Sequence, residues 1–344
     1  MVELESDRVL ASIVTVSNIM PIIGADKIVL AQIKGWKCIV KINEFVKGDL
    51  AVYFEIDSVV DKDDPTFNFL NGKFRIKTIK LRGVLSQGLL LPLSCLSSKG
   101  YDISTFKEGD DVTDKMNVKK YIPIEELSQY TQQSTLNSST NKPYPHYCPK
   151  TDEIRLQNNL DLLDQIKNRL IVITRKEDGC SCTFSIKNGI FGMHSRNMTI
   201  TEQDSSNIHY FHIATKFNIQ QKMESFGKNI AIQGEIVGPK INNNRLKLTC
   251  YDFRVFNIFD IDTQTYLDFS QVLQICSQLE LNIVPIIFNN DANLLDITLD
   301  YFLNLASNTF YDSEQTIYAE GIVIKTTDGE PRISFKVISN DYLL

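Results

Sequence analysis

What the sequence lacks narrows it first. Its seven cysteines, at positions 38, 95, 148, 180, 182, 250 and 276, form no CxxC pair and no disulfide-like cluster, which fits a reducing compartment. The opening Met1-Val-Glu-Leu-Glu-Ser-Asp lacks a basic and then apolar profile, so no export signal is expected. No apolar run approaches the roughly 20 residues of a membrane span. The expectation is a soluble, intracellular and cytoplasmic protein with no membrane partner. Bulk positive charge is missing too: 42 acidic residues outnumber 36 lysines and arginines, for a net charge of −6. Coating nucleic acid through overall electrostatics is therefore disfavoured, and any phosphate contact must be local. No internal repeat is found. His209 and His212 sit at helical spacing but lack a third ligand, so they read as helix surface or core, not as a metal pair.

What is present suits two domains, since 344 residues with a globular apolar share can build two cores. From residue 8 to about 95 run short alternating segments: Leu10–Val16, Ile28–Ile33, Trp36–Ile42 and Leu50–Ile56, separated by glycine, asparagine or aspartate. That pattern predicts a small antiparallel β-barrel of OB type over residues 1–103. In Lys73-Phe-Arg-Ile-Lys77-Thr-Ile-Lys80-Leu-Arg82 cations alternate with Phe74, Ile76, Ile79 and Leu81, slipping near Thr78 where a bulge fits. Lys77, Lys80 and Arg82 are then either a phosphate-tracking strand face or a solvated one. Residues 104–145 read as a linker region, clearest at Gln132–Asn141.

Residues 146–344 read as α+β, with antiparallel sheets flanked by helices. Strands are predicted at 170–175, 180–186, 190–196, 229–238, 248–261, 320–325 and 333–338, and helices at 203–226, 269–279 and 294–305. Asn188-Gly189 marks a tight hairpin. Cys180 and Cys182 alternate on a strand as packing residues.

The chemistry starts at Lys176, which ends the apolar run Leu170-Ile-Val-Ile-Thr-Arg and meets Glu177-Asp178-Gly179, a turn that halts the strand. A lysine projected this way and covered by other strands can lose hydration and attack phosphorus as a neutral amine. As four residues alone, K-x-D-G is also an ordinary surface turn. Downstream, polar groups recur at strand edges. Arg196 offers a fork of donors to ribose or phosphate oxygens, and Glu235, beside Gly234, offers a carboxylate to a ribose hydroxyl. Phe256 and Phe259 could stack a base or fill a core, Glu320 and Lys325 end one strand, and Lys336 lies on the last.

In this order the elements resemble the covalent nucleotidyltransferase superfamily of DNA ligases, RNA ligases and mRNA capping enzymes. Lys176-Glu-Asp-Gly179 resembles motif I, Ser195-Arg-Asn197 motif Ia, Phe256–Ile261 motif III, Glu320-Gly-Ile-Val323 motif IV and Ser334–Ser339 motif V. Lys150–Gln157 and Gly234–Asn243 are similar to type 2 RNA ligases. Only eight residues follow Lys336, which leaves no room for the C-terminal OB domain of DNA ligases and capping enzymes. With a barrel placed first, to which Leu81–Gly88 belongs, the chain is identified as a member of the RNA ligase 5, Naegleria-type, family.

The resemblance implies an ATP-dependent RNA ligase that joins 3′-hydroxyl and 5′-phosphate ends through lysyl-AMP, in RNA repair, on RNA or an RNA-containing nicked duplex. Lys176 is then the nucleophile, with Lys325 and Lys336 on the α-phosphate. Arg155 holds pyrophosphate, Glu235 and Arg196 the ribose, and Phe259 the adenine face, with Glu177 and Gly179 also at the nucleotide. Asp178 and Glu320 act through hydrated Mg²⁺ or Mn²⁺. Burial and the cations Lys325 and Lys336 are expected to lower the pKa of Lys176. One departure stands out: Ser334 occupies the position of a first motif V lysine, with Arg332 or Lys325 as substitutes. A DNA ligase, a guanylyltransferase and an inactive nucleic-acid-binding protein are the alternatives.

Overall fold

The computed structural model describes residues 8–121, 142–201 and 207–344; the stretch Gln132–Asn141 lies outside them. Two compact units emerge, one of residues 8–121 with Gln157–Leu160, the other of residues 142–156 with Asp161–Leu343.

In the first unit the alternating runs become a five-stranded antiparallel sheet in the order Trp36–Lys41, Ile28–Ile33, Ala11–Pro21, Leu50–Phe54 and Leu89–Pro92. A register shift between Val16 and Asn18 lets the long first strand serve both halves of the sheet. The hairpin Thr78–Leu81/Val84–Gln87 packs on the first of these strands, where Ile39 N–H donates to Ser86 Oγ at 2.9 Å. Leu10, Ile13, Val52, Phe54 and Phe67 fill the core. Val112, Met116 and Val118 join it, and Lys119–Lys120 pairs with Ser58–Val59. Residues 104–121, read as the start of a linker, are thus part of this unit.

The basic alternation does not form one strand face. Residues 73–77 precede the strand, which begins at Thr78. Arg75 is withdrawn to Asp57 at 2.8 Å and stacks on Tyr121 at 3.5 Å. Lys77, Lys80 and Arg82 are exposed, beside exposed Ile79 and Leu81. Arg82 donates to Gly24 O at 2.7 Å.

The second unit holds two sheets. The larger contains Met198–Ile200, Ile190–His194, Cys180–Lys187, Ile230–Val237 and Asp252–Asp260 in that order. The smaller contains Ile154–Arg155, Ser334–Ile338, Gly321–Thr326, Leu170–Lys176 and Ile286–Asp291. Pairing is antiparallel apart from Ile154–Arg155 on Ser334–Ile338 and Asn282–Ile283 on Asp252–Asp260. The expected helix 203–226 is two helices, Ile208–Lys216 and Ile219–Phe226, because Asn218 between them is left-handed at φ 50°; residues 202–206 lie outside the description. The last helix, Leu299–Ser307, starts late because Thr298 caps it, accepting from Tyr301 N. The strand Ile286–Asp291 escaped sequence reading because its apolar half and its polar half follow one another without period-two alternation.

The smaller sheet shows why the site lies where it does. Side chains alternate along a strand, and Ile171, Ile173, Ile322, Ile324, Phe335 and Val337 all enter one core with Phe302 and Ala306. Each such side chain contributes about 1.5–3 kcal/mol by burial. Their alternates therefore face the other way. Thr174 pairs with Val323, Val323 with Lys336, and Lys336 with Arg155. Lys176 and Lys325 stand one step of two residues to either side of that row.

Candidate active site

Lys176 is half-buried at its strand end, opposite Gly321. Its Nζ donates to Glu320 Oε2 at 2.5 Å. Tyr311 fixes both backbones, donating its hydroxyl to Lys176 O at 3.1 Å and accepting from Glu320 N at 3.0 Å. Two glycines make the approach possible. A Cβ on Gly321 would meet Val337 O at 2.1 Å, and one on Gly179 would meet Ile236 O at 2.2 Å and Glu235 Cγ at 2.8 Å. The glycine of K-x-D-G thus lets the Glu235 strand close on the turn after Lys176.

Three carboxylates surround the amine. Burial pulls the Lys176 pKa down, but Glu320, Glu235 and Asp178 outweigh it and hold the pKa above its ordinary value. A unit charge about 4 Å away contributes about 4 kcal/mol at an effective dielectric of about 20, comparable to the several kcal/mol of desolvation per ion. The three carboxylates together outweigh the burial penalty, so the expected depression is not present. Burial lifts Glu235 to about 8, with Lys176 opposing and Glu320 adding to the lift. Burial and the charge of Glu320 also raise Asp178. Asp178 is held by Asn242 Nδ2 at 3.0 Å and by Arg245 Nε at 3.6 Å.

Lys336 lies near the same charges. Burial, with the positive charge of Lys176 next, lowers it to about 7, and Arg155 adds to the fall. Its Nζ is 3.9 Å from Asp152 Oδ1. Arg196 is exposed and pairs with Asp152, and its charge reaches Glu235. Lys176, Lys336, Arg155, Arg196, Asp178, Glu235 and Glu320 are therefore gathered together.

Three assignments change. Lys325 shares the sheet face with Lys176, but its ammonium donates to Phe256 O at 2.7 Å and Asn257 Oδ1 at 2.8 Å. Burial lowers it to about 7, with Glu153 opposing and Arg332 assisting. It belongs to a second polar cluster and not to the charges around Lys176. Phe259 is buried among Tyr144, Cys148, Ala231 and Ile261, edge-on to Tyr266 at 5.2 Å, and so is a packing residue. A register shift between Gln233 and Gly234 places Phe256 at the bulge, half-buried, with Lys325 Nζ 5.4 Å from its ring. Glu177 is wholly buried and accepts from Arg175 Nε at 2.8 Å and Arg254 NH1 at 2.8 Å. Its carboxylate is a structural clamp, which leaves only its main chain for a nucleotide. Sequence reading missed Tyr311, Arg245 and Arg254, which carry no motif of their own, and gave Asn242 no role although it lies in the stretch Gly234–Asn243.

Ser334 pairs with Lys325 across the strands, and its buried Oγ has no hydrogen-bond partner. Arg332 reaches the same neighbourhood, donating to Asn257 Oδ1 at 3.3 Å and stacking on Tyr266 at 4.1 Å.

Among the described residues no three His, Cys, Asp or Glu side chains are close enough to cage a metal. Asp178, Glu235 and Glu320 nevertheless feel one another's charge. That donor set fits a cation that keeps its water shell, as Mg²⁺ or Mn²⁺ does.

A sheet-borne lysine amine, a ring of carboxylates and flanking cations, preceded by an OB-type unit, define a covalent nucleotidyltransferase. An OB-fold domain model matches residues 10–93 and an RNA ligase model residues 169–338. No curated protein matches. Solved structures of Naegleria gruberi RNA ligase do. A variant with ATP and Mn is 32% identical, with 98% of each chain covered and a TM-score of 0.85. Another with AMP and Mn is 31% identical, with 98% of each chain covered and a TM-score of 0.84. The enzyme with pyrophosphate is 32% identical, with the same coverage and a TM-score of 0.84. The chain belongs to this RNA ligase family. Its chemistry is ATP-dependent RNA ligation with a divalent metal, and its substrate is RNA with joinable ends. Among the described residues no helix is long and apolar enough to cross a membrane.

Proposed function

We propose that the protein seals 3′-hydroxyl and 5′-phosphate ends in an RNA-containing nicked duplex, as an RNA-repair enzyme, in three in-line displacements at phosphorus. Lys176 Nζ attacks the α-phosphorus of ATP, forming a P–N bond as pyrophosphate leaves. The AMP then passes to the 5′-phosphate, and the 3′-hydroxyl displaces AMP to form the phosphodiester. The observation that carries this reading is the Lys176–Glu320 contact at 2.5 Å on a sheet face shared with Lys336 and Arg155.

Before attack the ammonium must lose its proton, and Glu320 Oε2 is the nearest acceptor. Lys336 faces the α-phosphate and Arg155 the departing pyrophosphate, a charge-matching role that dominates phosphoryl transfer. Glu235 and Arg196 hold the ribose, Phe256 takes the adenine face in place of Phe259, and Gly179 permits the close approach of strands. Asp178, Glu235 and Glu320 would hold the hydrated cation, which when bound neutralises phosphate and carboxylate charge and so favours the neutral amine. Arg332 fills the place left by Ser334. Lys77, Lys80 and Arg82 are a separate basic surface for the duplex.

Incubation with ATP labelled at the α-phosphate and Mg²⁺ tests the reading. The wild type should carry an acid-labile label that Lys176→Ala lacks, and label persisting in the variant would refute the assignment. Offering ATP beside GTP, then nicks with RNA or DNA at the 3′-hydroxyl, separates this reading from a guanylyltransferase and a DNA ligase.

A further inference from the structure

The strand that carries Glu235 runs into a segment with unusual charge and backbone. Gly238–Tyr251 contains Lys240, Arg245 and Lys247 and no carboxylate, in a chain of net charge −6. Five non-glycine residues within it are left-handed: Lys240 at φ 63°, Asn242 at 41°, Asn243 at 60°, Asn244 at 47° and Lys247 at 52°. Asparagine tolerates that region, but lysine does so rarely. The surroundings must therefore hold the shape.

They do so at three points. Ile241 is buried in the core of the larger sheet. The Asn244 side chain donates to Leu248 O at 2.9 Å and accepts from Leu248 N at 3.1 Å. Asn242 Nδ2 ties the loop to Gly179 O at 2.7 Å as well as to Asp178. With the backbone fixed, Lys240, Arg245 and Lys247 all point to solvent. Neither lysine has an ion-pair partner among the described residues. Arg245 lies on the Tyr342 ring at 4.2 Å and reaches Asp178 Oδ2 at 3.6 Å. One loop thus carries two exposed lysines and an arginine that reaches the carboxylate two residues from Lys176.

From this we infer that loop 238–250 is a binding site for the polynucleotide backbone, in which Lys240 and Lys247 hold successive RNA phosphates and guide the broken end past Arg245 toward Lys176. The inference rests on the ligase reading and supplies its substrate contact. Cations carried on a prearranged backbone lose less entropy on binding than cations on a backbone that must first be ordered, which is what the held left-handed segment provides.

The test is the full-length double variant Lys240→Ser, Lys247→Ser, compared with Lys240→Arg, Lys247→Arg. Three readouts are taken: labelling by ATP without RNA, sealing of a nicked RNA duplex, and anisotropy of a fluorescent 5′-phosphorylated RNA against salt. In the serine variant sealing should fall at least tenfold further than labelling. The slope of log affinity against log salt should shrink by about 1.4, from two single-strand phosphate contacts at about 0.7 each. The arginine pair should restore both, which a folding defect would not allow. Wild-type binding and slope in the serine variant, or an equal fall in labelling and sealing, would overturn the site. A wild-type enzyme that takes no label from ATP would overturn the ligase reading, and the site with it.

Discussion

Lys176 and Lys325 make an instructive pair. Both project from neighbouring strands of one sheet, on the same face, and both are withdrawn from water. Yet Lys176 is held above the usual lysine range while Lys325 falls to about 7. Desolvation is the largest influence on each, so burial alone does not separate them. Company does: Lys176 faces Glu320, Glu235 and Asp178, whereas Lys325 bonds a carbonyl and an amide oxygen, with the charge of Glu153 opposed by that of Arg332. A buried lysine is protonated or not according to the charges folded against it, and only the first of these two forms an ion pair among the described residues.

The comparison can be broken most severely at the nucleophile. Lys176→Ala should lower lysyl-adenylate formation by about 10⁴-fold or more, because no other amine shares its geometry. Lys325→Ala should leave the labelled adduct detectable in the same gel. Next in size is the buried clamp: Glu177→Gln should cost about 3–5 kcal/mol in urea unfolding, since Arg175 and Arg254 are left facing each other without their carboxylate. Asp178→Asn should reduce adenylylation while moving the urea midpoint far less. A stability loss smaller for the first than for the second would reverse the assignment of these adjacent acids.

Lys336→Ala should slow adenylylation by about 10²–10³-fold, the cost of removing one donor to developing charge, with single-turnover labelling as the readout. Phe256→Ala should raise the KM for ATP about tenfold, whereas Phe259→Ala should lower the melting temperature with a smaller change in KM. An opposite split would return the adenine to Phe259.

The smallest effect sharpens the pair through pH. A lysine with a depressed folded pKa binds fewer protons folded than unfolded, so it destabilises the fold in full below about 7 and progressively less as pH rises toward its ordinary value. Relative to Lys325→Met, the wild type should therefore gain stability between pH 7 and 10, by up to about 1.4 kcal/mol per pH unit. Urea midpoints of both proteins across that range measure it, and parallel curves would mean that Lys325 is not desolvated.

How much of this was readable in advance varies with the reach of each interaction. The run Leu170–Lys176 announced a strand ending at a polar turn, and the runs 320–325 and 333–338 announced strands that carry Lys325 and Lys336. Such patterns are local, so the residues themselves carry them. The helix break at Asn218, the bulge at Phe256 and the late start of the basic strand at Thr78 carried no comparable periodic signal.

By itself, then, the sequence determined where most strands run and which lysine ends a strand at a polar turn, since alternation and turn chemistry act within a few residues. Tertiary structure decided what each charge meets. Glu177 finds Arg254, Lys325 finds Asn257 and Asp178 finds Asn242 across separations of 77, 68 and 64 residues. Electrostatic energy depends on distance in space and on exclusion of water, and strand register fixes both only once the sheets have closed.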